Sequence, residues 1–119
     1  AEGAHCYRSH CFETTRLLAE ALQLPEDKYS ISFQSRLGAD KWLTPFTSDR
    51  IKALAQSGVK RLAVITPAFV ADCVETLEEI EIGGGEIFTE NGGESFKLIP
   101  CINDSELWAK ALAQWINNY

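Results

Sequence analysis

The stretch Arg61–Ile82, RLAVITPAFVADCVETLEEIEI, constrains this chain more than any other. Leu62–Thr66 is a short apolar run rich in β-formers, of the kind that makes a buried strand. Pro67 and the small residues after it end that run. A helical pattern opens at Asp72. At 100° per residue, Asp72, Glu75 and Glu79 fall within about a 60° arc, with Cys73, Leu77 and Ile80 in a neighbouring apolar arc. A strand therefore delivers the chain to the first turn of a helix that carries a line of carboxylates.

That line has two physical readings. One is a helix start, with Asp72 as N-cap, Glu75 closing an approximate capping box, and both favoured by the positive end of the helix dipole. The other is a metal- or proton-handling site. Glu75 and Glu79 are like charges at i,i+4, which costs a few tenths of a kcal/mol on a helix. The carboxyl end of a buried strand is also where open α/β sheets place their ligands.

Around this centre, helices and strands alternate. Phe12–Leu22 reads as an amphipathic helix with an Arg16–Glu20 pair, closed by Pro25. Tyr29–Phe33 reads as a strand. Gln34–Thr47 is a long loop, and such loops in compact domains are often functional. Ser48 or Asp49 is expected to cap a helix over Ile51–Gln56 that stops with Gly58 at C′. Gly83-Gly84-Gly85 is expected to break the acidic helix, with Glu86–Phe88 irregular. Phe96–Ile99 reads as a third strand, and Asp104 or Ser105 caps a last helix, Glu106–Asn117. The alternation indicates an α/β fold: a three-layer αβα arrangement, a parallel sheet with helices on both faces, with one further strand expected before the first helix.

Composition narrows the function. A chain of 119 residues suits one domain. Its net charge of −6 and lack of a basic stripe argue against nucleic acid as a partner. No apolar run approaches the roughly 18–20 residues of a membrane span, and no secretory leader is visible. Cys6, Cys11, Cys73 and Cys101 are expected to be free thiols. His5, Cys6, His10 and Cys11 lie close in sequence, but a second tight ligand pair is missing, so a polar lead-in to the first helix is the simpler reading.

Two motifs then carry a resemblance. Asp72-Cys73-Val74-Glu75-Thr76-Leu77-Glu78-Glu79 is similar to the D-x-x-E-T-L-x-E segment of the ferrochelatase family. Phe33-Gln34-Ser35-Arg36-Leu37-Gly38, followed by Trp42-Leu43-Thr44-Pro45, resembles that family's F/W-Q-S-[RK]-x-G…W-L-x-P loop. Their order and spacing agree with the family, and the likeness runs from about Cys11 to the C-terminus. The resemblance implies the second of two Rossmann-like chelatase domains, residues 1–119, in an enzyme that inserts Fe²⁺ into protoporphyrin IX in haem biosynthesis. The N-terminal half would be its intramolecular partner, the setting bacterial cytoplasm, with peripheral association at the inner membrane a further implication.

By the same resemblance, Glu75 matches the active-site glutamate, Glu79 the next acidic position on a metal or proton path, and Asp72 a neighbouring acidic residue. Gln34, Ser35, Arg36 and Trp42 match the loop bordering the porphyrin, and Phe69 lies before the acidic helix, facing the macrocycle or packing. Cys73 stands where many members have histidine. Gly83 stands where some continue the acidic line. The family's S-x-H-G motif does not occur here, and Ala1–Ala4 departs from its G-D-x-Y. Fe²⁺ is expected as substrate, with no tightly bound cofactor and no iron–sulfur cluster. The alternatives are a non-catalytic porphyrin- or haem-binding module and a chelatase for another tetrapyrrole or metal.

Overall fold

A computed structural model describes residues 6–34 and 43–118. The chain divides into two compact units, Ala1–Arg50 and Ile51–Tyr119.

In the first unit, α1 spans Tyr7–Ala21, starting five residues before the expected Phe12. Arg16 holds it together on the outside, reaching Glu13 at 2.7 Å and Glu20 at 3.0 Å. Its C-terminus closes as a Schellman turn. Leu24 N–H donates to Ala19 O at 2.9 Å and Gln23 N–H to Glu20 O at 3.1 Å, with Gln23 at φ 55°. A single 3₁₀ turn, Glu26–Lys28, follows Pro25.

Tyr29–Phe33 does not form the expected strand. Among the described residues only Phe33 finds a parallel bridging partner, Phe46. Phe33 N–H donates to Pro45 O and Phe33 O accepts from Thr47 N–H. A β-rich run becomes a strand only where a neighbour satisfies its backbone. Phe33 is nonetheless buried, 6.4 Å from the Phe12 ring.

α2 spans Thr47–Gln56, so Ser48 and Asp49 lie inside its first turn instead of capping it. Thr47 is buried, its hydroxyl 3.0 Å from that of Ser32. The helix does end as expected: Gly58 sits at C′ with φ 101°, and Val59 N–H returns to Leu54 O.

The second unit is built on a parallel pair, β1 (Arg61–Val64) and β2 (Ser95–Leu98), in register from Arg61↔Ser95 to Val64↔Leu98. Ile99 N–H donating to Val64 O at 2.8 Å extends the ladder. The crossover between them is helical, which makes this an α/β unit of the Rossmann-like kind. The core gathers Ile51, Ala55 and Phe88, with Val59, Leu62, Ile87 and Phe96 packed against it. Burying Phe88 completely contributes roughly 1.5–3 kcal/mol.

The acidic segment departs from the α-helical expectation in two ways. It is a ten-residue π-helix, Glu75–Gly84, and it does not stop at the glycines but runs on into α3, Gly85–Glu90. Its buried positions are Thr76, Ile80 and Gly84, and Phe88 continues the series into α3. Every fourth residue is buried. On an α-helix four residues overshoot a full turn by about 40°, so such a stripe would wind off the core. The i→i+5 ladder of a π-helix puts more residues in each turn and so counters that overshoot. Leu77, placed in the apolar arc by α-helical spacing, is accordingly exposed.

The glycines permit contact instead of breaking the helix. A Cβ on Gly84 would stand 3.0 Å from Ile51 Cδ1 and 3.1 Å from Phe96 Cζ, so the helix backbone rests directly on the core. α3 also ends in a Schellman turn, with Gly92 at φ 107° and Gly93 N–H bonded to Phe88 O at 2.8 Å. α4 spans Glu106–Asn117 as expected, its N-cap Ser105 accepting from Trp108 N–H at 3.3 Å.

Candidate functional site

Parallel pairing puts the carboxyl ends of β1 and β2 at the same end of the sheet. The loops leaving them, residues 65–74 and 99–105, are joined there. Asn103 N–H donates to Val70 O at 2.8 Å, and the Thr66 hydroxyl and Cys101 Sγ are 3.3 Å apart. This is the position at which open α/β sheets bind ligands, and the π-helix starts from it.

Asp72 is the junction of the two loops. Its Oδ2 accepts from Asn103 Nδ2 at 3.0 Å and Cys101 N–H at 3.2 Å, and its Oδ1 accepts from the Thr76 hydroxyl at 3.0 Å. Asn103 Oδ1 in return accepts Asp72 N–H at 2.9 Å. The Thr76 hydroxyl also accepts Cys73 N–H at 3.0 Å. The Asn103 amide, followed by the bonds from Cys101 and Thr76, holds the Asp72 carboxyl below the usual carboxylate range. The same site raises the Cys101 thiol, chiefly through burial. Asp72 thus closes its box with Thr76 and Asn103, where the sequence pattern pairs it with Glu75.

Past this junction the carboxylates turn outward. Glu75 is half-buried at the first π-helical position, while Glu78, Glu79 and Glu81 are exposed. The fourfold spacing that aligns Thr76 with Ile80 also aligns Glu75 with Glu79, one position away. An acidic line therefore runs beside the buried stripe and leads away from the strand ends. Among the described residues no three His, Cys, Asp or Glu side chains form a group able to hold a metal ion, so Asp72, Glu75 and Glu79 make a line and not a cage.

Phe69 sits in the turn after β1, half-buried, its N–H bonded to Thr66 O at 3.0 Å. Val70, Val74 and Leu77 are exposed apolar neighbours in sequence. Gln34 is half-buried in the first unit. Ser35, Arg36 and Trp42 lie outside the described residues, as does His5 of the N-terminal His/Cys group. Thr76 and Asn103 were not singled out from sequence. Thr76 is 0% exposed, yet it reads as an ordinary polar helix residue. Asn103 lies 31 positions from its partner, and its one local peculiarity, φ 51°, is invisible in sequence.

No helix among the described residues is long and apolar enough to cross a membrane. A family model described as Ferrochelatase matches residues 1–119. A ferrochelatase of Pseudomonas fluorescens strain SBW25 is 59% identical over 107 residues, covering 90% of this chain and 31% of the relative. A ferrochelatase of Pseudomonas putida strain KT2440 is 52% identical, covering 91% of the chain and 32% of the relative. One of Bdellovibrio bacteriovorus is 48% identical, covering 96% and 34%. The chain spans about a third of the length of the curated relatives it matches.

Proposed function

Because this chain belongs to the ferrochelatase family, we propose that it is the C-terminal domain of an enzyme inserting Fe²⁺ into protoporphyrin IX to form protohaem. The observation that carries the reading is the acidic line Glu75–Glu79 leaving the carboxyl end of β1 on a π-helix. π-helical turns are rare and are found frequently at functional sites.

The chemistry asks for what carboxylates offer. Fe²⁺ enters as substrate and must shed water; oxygen ligands along Glu79 and Glu75 replace that water stepwise. Two pyrrole N–H protons leave as the dication enters, so the charge on the macrocycle centre is unchanged. The Glu75 carboxylate accepts the two protons in turn, passing the first through Glu79 to solvent before it takes the second. Asp72 serves by position: bound to Thr76, Cys101 and Asn103, it fixes where the π-helix starts and so where Glu75 stands. Gln34, Ser35, Arg36 and Trp42 border the porphyrin, Trp42 offering a flat apolar face and Arg36 pairing with a propionate. Phe69, in the turn after β1, offers a further aromatic to the macrocycle. No resident cofactor or iron–sulfur cluster is needed. In this reading the enzyme works in the bacterial cytoplasm, attached peripherally to the inner membrane where its apolar substrate is handled.

The test uses a full-length chain in which these 119 residues follow the N-terminal part of the Pseudomonas fluorescens relative. Protoporphyrin with Fe²⁺ or Zn²⁺ should give the absorbance of the metallated product with this chain. The 119 residues alone should not exceed the protein-free rate, because half a cleft loses the positioning that can contribute roughly 7–11 kcal/mol. Porphyrin binding without metallation by the full-length chain would instead support a non-catalytic binding module. Metallation of another tetrapyrrole in preference would support a different chelatase.

A further inference from the structure

Small-molecule sites are clefts of roughly 300–1,000 Å³, lined mainly by apolar side chains with a few placed polar groups. The first unit holds a groove of about 860 Å³ that meets this description. Phe12 on α1, Tyr29 and Ile31 before Phe33, and Pro45 before α2 supply its apolar lining. Phe12 is 40% exposed although its ring packs on the buried Phe33, so a surface held in place from below faces the groove. The charge on the walls runs against the rest of the chain. Three arginines, Arg8, Arg16 and Arg50, line the groove with two carboxylates, Glu13 and Glu26, whereas the whole chain carries a net charge of −6.

Arg16 is paired with Glu13 and Glu20. Arg8 and Arg50 are in no ion pair among the described residues, and each is held by an uncharged partner. The Arg8 guanidinium stands 4.6 Å over the Phe12 ring, and Arg50 Nε donates to Ser30 Oγ at 3.1 Å. Stacking uses a guanidinium's face and leaves its N–H edges, and a bond from Nε leaves both Nη groups. Two oriented cations therefore stand beside an apolar floor. Their charge disfavours a metal ion as occupant, and two arginines are too few for a nucleic-acid backbone. An exposed ion pair alone is worth little, so the occupant must cover the apolar floor as well. We propose that this groove binds a small organic anion, its carboxylate or phosphate held by Arg8 and Arg50 and its apolar body resting on Phe12, Ile31 and Pro45. No residue of the acidic line takes part, and the proposal stands independently of the functional reading above.

Fluorine NMR line broadening on the full-length chain described above tests it, with para-fluorobenzoate and para-fluorophenyl phosphate as probes. At least one probe should bind more tightly than the neutral para-fluorobenzyl alcohol, and added salt should weaken it. A preference for the benzoate assigns a carboxylate ligand, and a preference for the phenyl phosphate a phosphate one. Inorganic phosphate, which lacks the apolar body, should compete only weakly. Arg8→Gln/Arg50→Gln should weaken the preferred probe by about tenfold or more, the scale of a lost charge-assisted hydrogen bond. Arg8→Lys/Arg50→Lys, which keeps the charge but loses the planar fork, should fall between that variant and the native chain. Lys110→Gln, which removes a cation outside the groove, should change nothing, and circular dichroism should be the same for all. Failure of both probes to bind would overturn the proposal, as would equal binding by the double glutamine variant or by the neutral alcohol. Displacement of the probe by equimolar protoporphyrin would also overturn it, because the groove would then be part of the porphyrin cleft that Pro45's loop is expected to border.

Discussion

Asp72 and Asn103 hold each other across 31 positions of chain, each giving one donor and one acceptor: Asn103 Nδ2 reaches Asp72 Oδ2 at 3.0 Å, and Asp72 N–H reaches Asn103 Oδ1 at 2.9 Å. This clasp ties the loop after β2 to the start of the acidic helix. It makes the helix origin a property of the sheet, so that Glu75 inherits its position from two strands and not from local helix propensity.

The clasp predicts an acid-side dependence of stability. The folded-state pKa of Asp72 is lowered by the Asn103, Cys101 and Thr76 hydrogen bonds, so its contribution is complete above the unfolded carboxylate value of about 3.9. It is lost as pH falls from there through the lower folded value. Thermal unfolding measured between about pH 6 and pH 2 should therefore drop less steeply for Asp72→Asn than for the native chain. Identical slopes would mean that Asp72 is not held ionised by the clasp.

Thr76→Val removes the hydroxyl without changing shape. It leaves Asp72 Oδ1 and Cys73 N–H without that partner inside a fully buried position. The expected cost is about 1–3 kcal/mol in denaturant unfolding. A neutral result would show that water replaces the hydroxyl there.

The glycines separate two effects. A Cβ at Gly58 meets nothing but must adopt φ 101°, so Gly58→Ala should cost about 1 kcal/mol. A Cβ at Gly93 runs into the ring of the fully buried Phe88, which cannot move aside. Gly93→Ala should cost about 3 kcal/mol or more, with the midpoint falling roughly 4–8 °C for each kcal/mol. Equal losses in the two variants would contradict the packing described at Phe88.

Cys73→Ser should leave turnover of the full-length chain mostly intact. The backbone N–H of Cys73 serves the Thr76 hydroxyl, and serine keeps it. Loss of activity with unchanged unfolding would make the thiol a metal ligand.

Much of this was legible in the chain. Gly58 announced the end of α2 and Ser105 the start of α4, because caps are local chemistry. The position of the acidic segment after a strand was legible for the same reason. Its winding was not. Burial of Thr76, Ile80, Gly84 and Phe88 at fourfold spacing is a tertiary demand, set by Ile51 and Phe96 pressing on Gly84. The sequence offers α-helical arcs, and the core selects the π-helix. Tyr29–Phe33 shows the converse: strong β character without a described partner beyond Phe46. The two motifs made the candidate site legible by likeness, whereas Asn103 entered it only through the fold.

The most direct test of the account is Glu75→Gln in the full-length chain. The substitution keeps size and shape but removes the charge and the base, putting an NH₂ donor where one acceptor oxygen stood. Porphyrin affinity, read by fluorescence quenching, should be unchanged within a few-fold. Metal insertion, read as the absorbance of zinc or iron protoporphyrin, should fall by about 10²-fold or more, the scale of a lost general base. Insertion at a near-normal rate with porphyrin bound would contradict the assignment of Glu75 to the chemistry.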